Sequence, residues 1–173
     1  EGVLIAPDPC GLHEALEWRL VRAGARVVRI GPSAVPTRSV AAFPFDPADE
    51  SALQLAVDRA VTHLGTVRGL YWLPGLGPTP GPRGTRTDTW PQIVQTRLMG
   101  LLHAVAALES TLARRPDSFV ITLVGRGGDL GRLGPRPTSP LHGALAGLTI
   151  GLAARSAAGL IRCVDLDPAW AAD

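Results

Sequence analysis

The sequence predicts an α/β fold: a parallel, doubly wound sheet with strand order 3-2-1-4-5-6. Three features of the chain predict it. Short apolar runs alternate with helical segments along the whole length, and each run is continuous, as expected of strands buried on both faces. The first run passes through a tight Gly/Pro turn directly into an amphipathic helix. At 173 residues and 46% hydrophobic, the chain can bury one sizeable core and is short for two ordinary domains.

The first strand is Val3 to Ala6. Pro7 to Gly11 turns the chain, and Leu12, Ala15, Leu16, Leu20 and Val21 at helical spacing predict a helix from about Gly11 to Ala23, stopped by Gly24. Ala25 to Ile30 is the second strand. Gly31 to Thr37 is too short and too broken for a crossover helix, so the third strand, Val40 to Phe45, joins through irregular chain. Asp46 is expected to cap the next helix, with Pro47 at its first position. Leu53, Leu55, Ala56, Ala60, Val61 and Leu64 form that helix's apolar stripe.

Val67 to Leu73 is the fourth strand, followed by a Gly- and Pro-rich loop, Pro74 to Thr87, of a length that in compact domains is usually functional or mobile. The longest helix extends from Asp88 or Thr89 to Leu112, its apolar side carrying Trp90, Ile93, Val94, Leu98, Leu101, Leu102, Val105 and Leu108. Phe119 to Val124 is the fifth strand. A second loop, Gly125 to Ser139, leads into the helix Pro140 to Ala157, and Ile161 to Leu166 is the sixth strand, closed by Asp167-Pro168. The last helix is nearly all small and apolar, so it should be buried or face a partner. Gly143, Ala144, Ala146, Gly147 and Gly151 suit either a core face or the seam with a neighbouring domain.

Composition excludes several classes of function. All 17 basic residues are arginine and they are scattered, with a formal charge of only +2, so no nucleic-acid footprint is present. No apolar run approaches the ~18 residues of a membrane span, and no charged segment precedes an apolar one at the N-terminus, so a cytoplasmic location is expected. Cys10 and Cys163 have no metal spacing and belong to distant elements, so neither a disulfide nor a metal site is expected. His13, His63, His103 and His142 share no ligand spacing and read as surface or helix-end residues. Ser139-Pro140 lacks the frame of a nucleophile elbow. Asp165 and Asp167 read as caps of the loop after the last strand. Glu1 is not an initiator residue, and a single domain, 1–173, excised from a longer polypeptide is expected. The chain holds no lysine and no asparagine, and Tyr71 is its one tyrosine.

A strand, turn and helix in direct succession are where open α/β sheets dock a dinucleotide's pyrophosphate. On Val3-Leu4-Ile5-Ala6 with Gly11 and Ala15-Leu16, on Ala23-Gly24-Ala25-Arg26-Val27-Val28, and on Gly69 to Gly75, the chain resembles the short-chain dehydrogenase/reductases. Gly143-Ala144-Leu145-Ala146-Gly147-Leu148 through Leu152-Ala153 and Val164-Asp165-Leu166-Asp167-Pro168 extend the likeness over the whole chain. More narrowly, it resembles the ketoreductase region of a modular polyketide synthase. The resemblance implies a Rossmann-like fold, truncated between the second and third strands.

The resemblance also implies a site, and the chain departs from it position by position. The family's glycine turn falls on Ala6, Pro7, Gly11 and His13, of which only Gly11 is kept. Pro7 removes an N–H, and the His13 imidazole stands where phosphate should approach. The family's Asn-Asn-Ala-Gly falls on Trp72-Leu73-Pro74-Gly75. Its catalytic Ser, Tyr and Lys fall on Gly125, Thr138 and His142; the permuted polyketide version, Tyr and Asn with Lys elsewhere, is equally absent. A threonine hydroxyl is far too weak an acid to replace the tyrosine as proton donor. Arg29, near the end of the second strand, reads either as a contact for a 2′-phosphate or as a solvated arginine.

The leading expectation is a non-catalytic, structural pseudo-reductase subdomain that binds no cofactor and packs against other domains of the same synthase. Two further readings stand beside it. In one, the piece belongs to an active NADPH-dependent ketoreductase that reduces β-ketoacyl carrier-protein intermediates, its catalytic residues lying beyond Asp173. In the other it is an acyl-carrier or nucleotide-binding module, with Arg83, Arg86, Arg126, Arg132 and Arg136 on the two long loops at the carboxyl ends of the strands.

Overall fold

The chain folds into six strands, β1 (Gly2–Ala6), β2 (Arg26–Ile30), β3 (Ala41–Phe43), β4 (Val67–Trp72), β5 (Phe119–Val124) and β6 (Leu160–Asp165). All pair in parallel, in the order β3-β2-β1-β4-β5-β6. The structure, a computed structural model, describes residues 1–32, 34–46, 49–77, 89–125 and 139–167. The loop arginines Arg83, Arg86, Arg126, Arg132 and Arg136, and Thr138, lie outside the described residues.

The helices are α1 (Leu12–Arg22), α2 (Glu50–Leu64), α3 (Trp90–Val94), α4 (Gly100–Leu112) and α5 (Pro140–Arg155). One face of the sheet carries the larger core. There Leu4, Val28, Ile30, Leu70, Trp72, Val120 and Val124 meet Leu53 and Val57 of α2, Leu101, Val105 and Leu108 of α4, and Leu141 and Leu145 of α5. Each such side chain, fully buried, contributes about 1.5–3 kcal/mol. On the other face α1 sets Leu12, Leu16 and Leu20 against Val3, Ile5 and Val27.

The expected order and element sequence hold, with three local corrections. Asp49, not Asp46, caps α2: its side chain accepts from the amides of Ser51 and Ala52, while its own N–H closes a turn onto the Asp46 carbonyl. Asp-Pro-Ala-Asp offers two candidate caps, and the second carries the helix. β3 stops at Phe43 because Pro44 has no N–H for the ladder; Phe45 leaves the sheet yet remains buried.

The long helix is interrupted by a π turn, Gln95–Met99, between α3 and α4. The Gly100 N–H reaches back to the Gln95 carbonyl, and the Trp72 indole N–H donates to the Arg97 carbonyl at 2.9 Å. Gly100 lies against the Trp72 ring, where a Cβ would come within 2.9 Å of it. The helix thus widens where the tryptophan presses on it, a cause that helical periodicity cannot reveal.

The last helix divides between the two expectations. Leu141, Leu145, Ala146 and Thr149 are buried, whereas Gly143, Ala144, Gly147, Gly151 and Ile150 face outward.

Candidate functional site

The turn between β1 and α1 is built around Asp8, whose side chain is completely buried. One carboxylate oxygen accepts from the backbone N–H of Cys10 at 2.8 Å and of Leu12 at 3.1 Å. The other accepts from the His13 N–H at 2.8 Å and lies 3.0 Å from its ring Nδ1. Gly11 enters the helix at φ 86°, a left-handed conformation that glycine adopts at little cost. This glycine has no side chain to cap α1, so the carboxylate three residues earlier does so. Burial alone would raise the Asp8 carboxyl. The hydrogen bonds from His13 and Leu12 and the His13 charge more than offset this and hold it below its ordinary value.

Pro7, Gly11 and His13 are therefore brought together, and what they surround is a carboxylate supplied by the chain itself. The free amides and positive end of a helix attract an anion. Asp8 already takes the amides of the first helical turn. A second anion about 4 Å from it would be repelled by about 4 kcal/mol at the effective dielectric of a protein surface.

The second charged feature lies at the far end of β2. Arg29 is buried, with its Nε and Nη2 on the two carboxylate oxygens of Glu17, both at 2.6 Å, and its Nη1 on the Val35 carbonyl at 3.2 Å. The reading of Arg29 as solvated is thus corrected: α1 runs antiparallel over β2 and delivers Glu17 to it. The hydrogen bond to Glu17 raises the guanidinium pKa further above its ordinary value.

Between the carboxyl ends of β1, β2 and β4 lies a cleft of about 100 Å³, lined by Ala6, Pro7, Ile30, Gly31, Trp72 and Thr96. Cofactor-sized pockets occupy about 300–1,000 Å³. Pro74 and Leu76 bound a short helical turn after β4, and Gly75 within it is demanded by packing, since a Cβ there would meet the Leu123 carbonyl at 2.3 Å.

At the end of β5, Gly125 closes the strand without a side chain. Ser139 caps α5 by accepting from the Leu141 N–H, and His142 lies in the first turn of that helix, buried rather than on the surface. His13 and His63 also stand at helix ends, and His103 is half-buried near Glu50. Among the described residues no group of His, Cys, Asp and Glu could hold a metal ion, and no helix is long and apolar enough to cross a membrane. Neither Cys10 nor Cys163 forms a disulfide.

No protein-family model matches the sequence, and no curated protein matches it. Solved structures do. The chain is similar to a short-chain dehydrogenase/reductase from Serratia marcescens BCRC 10948, with 25% identity and a TM-score of 0.69 over 89% of this chain and 71% of that one. It is similar to the 3-ketoacyl-(acyl-carrier-protein) reductase of Brucella melitensis, solved as a complex with NADH, with 19% identity and a TM-score of 0.71 over 94% and 74%. It is also similar to the aldohexose dehydrogenase of Thermoplasma acidophilum, with 16% identity and a TM-score of 0.75 over 94% and 65%. The six-stranded parallel sheet, its 3-2-1-4-5-6 order and its flanking helices are those of the Rossmann-like short-chain dehydrogenase/reductase fold.

Proposed function

We propose that this chain is a non-catalytic, structural subdomain of a polyketide synthase ketoreductase region, built on the reductase fold and supporting a catalytic half or neighbouring domains. The observation that carries this reading is the Asp8 carboxylate on the first-turn amides. The residues present do not fit a dinucleotide: the phosphate donors are taken by an internal anion, and Arg29, near the end of β2, is neutralised by Glu17. Chemistry is missing as well as binding. A chain without lysine or asparagine cannot assemble the family's proton-donating set.

In this setting NADPH and the catalytic side chains belong to another half of the region, and an acyl carrier protein delivers its substrate there. The present chain contributes a stable sheet and surfaces for packing. An assay of NADPH consumption with a β-ketoacyl thioester tests the reading. The chain alone is expected to match the enzyme-free rate, and turnover that saturates with substrate would overturn it.

A further inference from the structure

We draw no further inference here: the strongest candidate, the groove of about 380 Å³ that Trp18 and Val21 of α1 form with Thr37, Ser39 and Val40 of the chain between β2 and β3, carries no proposal because nothing in the structure shows what covers it.

Discussion

Glu17 grips Arg29 at two points, Oε1 on Nε and Oε2 on Nη2, in a pair almost wholly withdrawn from solvent. Such pairs are costly to break from one side, because the survivor keeps its charge in a poorly solvated place. Glu17→Ala is expected to lower stability by about 3–5 kcal/mol, measured by urea denaturation. Replacing both together, Glu17→Leu with Arg29→Met, should cost markedly less than that single change. A double variant as unstable as Glu17→Ala would show that the pair's charge is not what matters.

Asp8 predicts a pH dependence. Its carboxyl titrates lower in the folded chain than the ordinary 3.8. Between those two values the unfolded chain binds the proton first, so folding is favoured as pH rises. The stabilisation is fully present above the unfolded value and is lost as pH falls through the folded one. Asp117, held down by the Arg115 guanidinium beside it, contributes in the same window. Asp8→Asn should flatten the acid limb of a melting-temperature profile below about pH 4 without abolishing it. An unchanged acid limb would mean that Asp8 is not anchored by its amides.

Gly69 and Phe119 are coupled by contact: a Cβ on Gly69 would lie 2.5 Å from the phenyl ring of its partner across the β4–β5 ladder. Gly69→Ala is expected to cost about 1–3 kcal/mol by overpacking. In the background of Phe119→Leu, whose smaller side chain can move aside, the same change should cost less. A double-mutant cycle on chemical denaturation reads the difference, and strict additivity would remove the ring as the reason for the glycine.

Most of the scaffold was legible because it rests on local patterns. Continuous apolar runs, the Gly24 stop and the 3.6-residue stripes mark every strand and helix within a few residues. What escaped depends on meetings that periodicity does not encode. The π turn exists because Trp72, on a strand, reaches Arg97 and Gly100 on a helix. Glu17 sits among Leu16 and Leu20 on the inward side of α1, and a carboxylate there signals a buried cation, but not that the cation is Arg29. Asp8 carried a clearer mark: an aspartate followed by Pro-Cys-Gly and then a helix is positioned to cap it.

Asp8 accepts from the first-turn amides that a bound phosphate would need, and calorimetric titration of the chain with NADPH reads whether those amides remain open to a nucleotide. No saturable heat is expected up to millimolar nucleotide, a free energy of binding weaker than about 4 kcal/mol. A one-to-one isotherm with a micromolar dissociation constant would contradict it.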